Sequence, residues 1–127
     1  GSFSTYTIDA AGWTTESDRR IKENILTWTP GLELIRRLRP VIFNKITMPD
    51  ELMLGLIAQE VKWAMDATSI VFPGWQAPRG EEIYEKLDYS SFVMPLINAV
   101  NEIDDEVTLL KARVTELEQE VELLKAA

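Results

Sequence analysis

Ser17 and Lys22, five residues apart, are the pair in this chain whose types and spacing could break a covalent bond. The 127 residues include no Cys and no His. That excludes a thiolate nucleophile, a disulfide, a zinc finger and any triad built on an imidazole base. Ser, Thr and Lys are the self-activating nucleophiles that remain. In a Ser-Lys pair a neutral amine takes the hydroxyl proton while the oxygen attacks a carbonyl carbon. Lysine is ordinarily charged at neutral pH, so such a pair needs burial or nearby positive charge. Arg19 and Arg20 carry that charge in adjacent positions. Geometry is the second demand, because residues five apart in a continuous helix do not face each other. With Ser17 at or before a helix N-cap, Lys22 falls in the second turn and leans back towards the N-terminus. A lysine from a neighbouring chain is the other route. Spacing alone favours the plainer reading, a capping serine beside a solvated lysine. Any metal would rely on carboxylates, carbonyls and water, and no cofactor or metal is expected.

The elements that must hold the pair form a small mixed head. Thr15 and Asp18 make a loose capping box before Ile21 and Ile25, which predicts a helix over 17–26. Phe3 to Ile8 alternates with Thr and Tyr as an edge strand would. Leu32 to Leu38 reads as a short helix with Arg36, Arg37 and Arg39 at its C-terminal end, where cations suit the helix dipole. Pro30-Gly31 precedes it and Pro40 stops it. Val41 to Ile46 and Leu52 to Gly55 read as strands, and Ile57 to Met65 as a helix. Ile70 to Phe72 and Ile83 to Leu87 read as strands flanking a loop that carries Pro73-Gly74 and Pro78-Arg79-Gly80. Trp13, Trp28, Trp63 and Trp75 are expected to fill core and interface rather than to form a ligand platform.

From Ser91 onward the pattern changes. All six Gly, and every Pro except Pro95, lie before it. Val93, Leu96, Val100, Ile103, Val107, Leu110, Val114, Leu117, Val121 and Leu124 then recur in unbroken alternating steps of three and four. That 3.5-residue period is the signature of a left-handed coiled coil. A lone helix cannot bury such a stripe, which would run about 50 Å. With Val at position a, the g residues are Glu106, Arg113 and Glu120, and the next e residues are Lys111, Glu118 and Lys125. In a parallel, in-register bundle all three g–e pairs attract. Each contributes up to ~1 kcal/mol, and together they specify orientation and register. Val at a with Leu at d leans towards two strands. A helix folded back on its own head would carry a wider and less regular apolar face. The fold class is therefore α+β: a small head with a few short strands and helices, then a long C-terminal helix forming a parallel coiled coil.

Charge bounds the partners. Lys and Arg number 13 against 21 Asp and Glu, a formal net charge of −8. Nucleic acid and anionic membrane both ask for a positive surface, so neither is expected as a partner. No apolar run approaches the ~18 residues of a membrane span, and the start does not read as a signal peptide. The abrupt opening, with Gly1-Ser2 resembling a tag remnant, reads as a piece of something longer.

Ser17-Asp18-Arg19-Arg20-Ile21-Lys22-Glu23-Asn24-Ile25 resembles the opening signature of the endosialidase-type self-cleaving intramolecular chaperones. Those domains end many phage tailspikes, tail fibres and neck appendages, and occur in some cellular proteins. Gly55-Leu56-Ile57-Ala58-Gln59-Glu60-Val61 is similar to the family's second signature, and Leu38-Arg39-Pro40-Val41-Ile42-Phe43 to the segment between them. Leu87-Asp88-Tyr89, then Phe92 to Ile103 and the heptads, resembles the family's end. The resemblance runs from Ser17 to Leu124. It implies a homotrimer, parallel and in register, that aligns an upstream fibre of the same polypeptide for folding and then cuts itself off. The head can fix three strands where the heptads lean to two. Under the resemblance Ser17 is the nucleophile, Lys22 its base and Glu16–Ser17 the scissile bond. Residues 1–16 end the released fibre, 17–90 form the chaperone head and 91–127 the trimerisation helix. Arg19 and Arg20 support the pair. The oxyanion donor is either a backbone N–H after Ser17 or Gln59, for which a structural role is the alternative. The implied setting is the host cytoplasm during virion assembly, with the fibre kept in the virion tail and this domain released. The competing reading is a coiled-coil trimerisation and attachment module with an inert Ser17.

Overall fold

The computed structural model describes residues 14–127. The strand expected over Phe3–Ile8, and Trp13, lie outside the described residues. Ser17 leads into a single 3-10 turn, Arg19–Ile21, and the helix expected over 17–26 does not form. Two features account for this. Asn24 sits in the left-handed region at φ 55°, which no helix continues through. Ile21 and Ile25 remain 61% and 56% exposed, so no apolar stripe is buried to stabilise a helix this short.

Helix α1, Leu32–Ile35, is shorter than the predicted span. It tightens into 3-10-type bonds from the Arg37 and Leu38 N–H groups before Pro40. Strands β1, Val41–Lys45, and β2, Met48–Gly55, form an antiparallel hairpin. Val41 faces Gly55 and Phe43 faces Met53, with a register shift between Phe43 and Lys45. The second strand begins four residues earlier than its apolar run, because Met48 pairs with Lys45 beyond the register shift. Helix α2, Ala58–Thr68, ends on Ser69 in the left-handed conformation at φ 57°. The Ile70 N–H bonds back to the Met65 carbonyl there.

The remaining strands are two residues each: β3, Trp75–Gln76, pairs antiparallel with β4, Lys86–Leu87. The strand expected at Ile70–Phe72 is absent. Ile70 and Phe72 are buried and Val71 points outward, so the period-two pattern serves core filling without a ladder. Of the strand expected at Ile83–Leu87, only its last two residues pair, and Ile83 is 75% exposed.

Leu34, Val61, Ala64, Met65, Ile70, Phe72 and Phe92 make the core, so it lies where α1, α2 and the start of the last helix meet. Phe72 meets Phe92 edge-on at 4.8 Å between ring centroids, and Trp28 stacks on Phe72 at 6.2 Å. Trp28 and Trp75 thus pack as expected, whereas Trp63 stays 65% exposed.

Helix α3 runs from Val93 to Ala126, 34 residues, after a 3-10 turn over Tyr89–Phe92. Asp88 caps that turn, accepting from Ser90 Oγ at 2.7 Å, Ser91 Oγ at 2.8 Å and the Ser90 N–H at 3.2 Å. Pro95 lies in the first helical turn, where its missing N–H costs nothing. The whole is the α+β arrangement of a small head followed by a long C-terminal helix. No helix among the described residues is long and apolar enough to cross a membrane.

Candidate functional site

Lys22 and Ser17 meet within one chain. Lys22 Nζ donates to Ser17 Oγ at 2.5 Å. Asp18, next to Ser17, builds the turn that allows this. Its carboxylate accepts from the Arg20 N–H at 2.8 Å, and its carbonyl accepts from the Ile21 N–H at 3.1 Å. The chain thereby reverses in three residues, with Lys22 as the turn's C-cap in extended conformation. A three-residue turn flanked by extended Asp18 and Lys22 brings together two side chains that a continuous α-helix would keep apart. Ser17 and Lys22 are both exposed, as is Glu16.

Of the two arginines, Arg20 is placed differently from the expected arrangement. Arg20 is paired with Asp18, Nε to Oδ1 at 3.1 Å and a terminal nitrogen to Oδ2 at 2.9 Å. The Arg20 side chain, and after it the Arg20 N–H, hold the Asp18 carboxyl below the usual carboxylate range. Its charge is therefore offset locally instead of acting on Lys22. The N–H groups expected to greet an oxyanion are also largely occupied: those of Arg20, Ile21 and Lys22 bond within the turn. Among the described residues the Arg19 N–H of that turn has no partner. Gln59 is turned to Glu85, its amide donating at 2.8 Å, and the same carboxylate accepts from Trp75 Nε1 at 2.8 Å. That network ties α2 to the β3–β4 hairpin, a structural role for Gln59.

Two links that the sequence reading missed bind the motifs together. Arg39 grips Glu60 with two bonds, of 3.1 and 2.6 Å, joining the Leu38–Phe43 segment to α2. This fork holds the Glu60 carboxyl below its ordinary range. The Leu56 N–H donates to the Tyr89 hydroxyl at 2.9 Å, which ties the end of β2 to the start of α3. Gly55 makes that approach possible, since a Cβ there would lie 2.5 Å from the Tyr89 oxygen. Motif spacing points to neither partner, because each pair is separated by more than twenty residues.

The seam residues lie on one face of α3 and stay exposed among the described residues. Their exposure runs from 40% at Val107 to 76% at Leu124. Only Pro95 and Ala99 of this helix are buried against the head. Along the single helix Arg113 pairs with Glu116 at 2.9 Å and Lys125 with Glu122 at 3.6 Å.

Residues 17–69 match the family model described as chaperone of endosialidase. Both signatures, 17–25 and 55–61, fall inside that stretch, and the match begins at Ser17 itself. A 7-deoxyloganetin glucosyltransferase of Catharanthus roseus is 33% identical over 91 residues, which is 66% of this chain and 18% of that protein. The chain thus spans less than a fifth of that relative's length. No solved structure matches.

Proposed function

Because residues 17–69 match the chaperone-of-endosialidase family model, we propose that this chain trimerises through α3, aligns an upstream fibre of the same polypeptide and then severs the Glu16–Ser17 bond. The observation that carries the reading is the 2.5 Å contact between Lys22 Nζ and Ser17 Oγ at the first residue of the family match.

The chemistry follows from that placement. Lys22, as the free amine, takes the Ser17 hydroxyl proton while Oγ attacks the Glu16 carbonyl carbon. The amide C–N bond breaks, the proton passes to the Ser17 nitrogen, and an ester joins the Glu16 acyl group to Oγ. One water molecule then opens the ester, leaving a Glu16 carboxylate and restoring the hydroxyl. Attack is intramolecular, with the orientational advantage that implies. Each chain cuts once. In a single chain the pair stands in solvent, so the low-dielectric surroundings that favour a neutral lysine have to come from assembly. The cut therefore follows trimer formation, with Arg19 in support and its N–H as the oxyanion donor left in the turn.

The chaperone step has its own physical basis. Interleaved fibres depend on contacts between distant segments and separate chains, which nucleate slowly. A coiled coil forms from local helices, holds three chains side by side and raises the effective concentration of the fibre segments. Removing it afterwards leaves a fibre whose stability is kinetic. In this reading folding and cutting take place in the host cytoplasm, and the fibre remains in the virion tail.

Mass spectrometry of the folded chain tests the reading. A fragment starting at Ser17 is expected from the wild type and none from Ser17→Ala. An uncut wild type, or the same fragment from Ser17→Ala, overturns it. The second reading, a trimerisation module with an inert Ser17, draws on the exposure of the pair and on the pairing of Arg20 with Asp18.

A further inference from the structure

We propose that Asn98 is the positioning residue that couples the seam helix to the Ser17–Lys22 pair; this rests on the self-cleavage reading above. The Asn98 amide nitrogen donates to two backbone carbonyls of one segment, Trp28 and Pro30, at 2.9 Å each. Both partners are acceptors, so the amide nitrogen, and not its oxygen, must face them. One turn further along α3, Glu102 Oε1 accepts from the Leu32 N–H at 3.3 Å. Between these two anchors Gly31 lies flat against the helix. A Cβ there would come 2.8 Å from the Ala99 nitrogen, which is backbone and cannot yield. Asn98 and Glu102 fall at heptad positions f and c, away from the a and d stripe. One helix therefore carries the seam on one face and holds segment 28–32 on another.

That segment is the first fixed point downstream of the pair. Residues 23–27 are all exposed and, among the described residues, make no hydrogen bond to the rest of the head. Asn24 turns the chain there through a left-handed residue. The place of Ser17 and Lys22 relative to the seam, and so to the neighbouring chains, is set where segment 28–32 is pinned to α3. Without the Asn98 donors two carbonyls lose their partners and the segment swings about Gly31. The Ser17–Lys22 contact survives, because the 3-10 turn makes it locally, but the pair is displaced from the surroundings that assembly supplies.

The test compares an isosteric change with a one-methylene extension in the full chain. Asn98→Asp keeps the shape and loses the donors, whereas Asn98→Gln keeps a donor. Cleavage is followed by mass spectrometry and assembly by sedimentation. The rate per assembled molecule should fall by about tenfold or more in Asn98→Asp, and Asn98→Gln should recover most of it. Glu102→Ala against Glu102→Gln, which keeps an acceptor for Leu32, repeats the comparison should Asn98→Asp fail to assemble. Wild-type cleavage rates in Asn98→Asp, or equal losses in the Asp and Gln variants, overturn the coupling and leave the self-cleavage reading standing. An uncut wild type removes both.

Discussion

A base that is to take the Ser17 proton must present a lone pair to Oγ, and a guanidinium has none at any accessible pH. Lys22→Arg keeps the positive charge and most of the reach. It should abolish the cut at Glu16–Ser17 by mass spectrometry while leaving the sedimentation of the chain unchanged. Asp18 acts at the same scale, although it touches neither reacting atom. It organises the Arg19–Ile21 turn from its N-cap, next to Ser17. Asp18→Ala should slow the cut without stopping it, since the nucleophile and base remain and only their mutual placement loosens. Wild-type cleavage rates in both variants would mean that the pair is incidental.

At the scale of elements the head depends on few buried side chains. Leu34 is fully buried in a helix of four residues, where α1 meets α2 and α3. Leu34→Ala should cost about 2–5 kcal/mol, the usual range for a buried leucine that leaves a cavity. In a core of seven buried residues that is enough to melt the head ahead of α3 in a thermal scan followed by tryptophan fluorescence. Asp88 gives a pH dependence. The Ser90 and Ser91 hydroxyls, with their N–H groups, hold its carboxyl below the ordinary range. In the unfolded chain that carboxyl takes a proton at a higher pH than in the fold. Its stabilisation is thus complete above the ordinary carboxylate range and is lost as pH falls through the depressed value. The melting temperature of Asp88→Asn should accordingly lie below that of the wild type near neutrality, and the gap should close in acid. A gap that persists in acid would assign the effect to packing.

For the whole molecule the seam decides. Ten apolar side chains are exposed along one face of α3, and among the described residues nothing covers them. Val107→Asp or Val114→Asp puts a charge into the seam and should convert the assembly to single chains by sedimentation. The same variants should lose the cut at Glu16–Ser17, and diluting the wild type should slow it. Sedimentation also gives the strand number, for which the heptads lean to two and the family implies three.

How much of this was legible depends on how local each cause is. The seam follows from a one-dimensional repeat, so a period of 3.5 residues was enough to place a continuous helix where Val93–Ala126 lies. The two strands of the hairpin and α2 were likewise readable from apolar runs, and the Ser17–Lys22 pair from the resemblance of its motif. The route by which Lys22 reaches Ser17 was not, because a 3-10 turn capped by Asp18 and ended near a left-handed Asn24 leaves only a faint composition signal. Ile70 and Phe72 alternate as a strand does, yet whether an extended run pairs or merely fills a core depends on what lies beside it in space. The same holds for Gln59 against Glu85, Arg39 against Glu60 and Asn98 against Trp28 and Pro30. Short-range order along the chain determined the helix and its apolar stripe. Contacts between residues far apart in sequence, which only folding brings within bonding distance, decided how segment 28–32 is held to that helix.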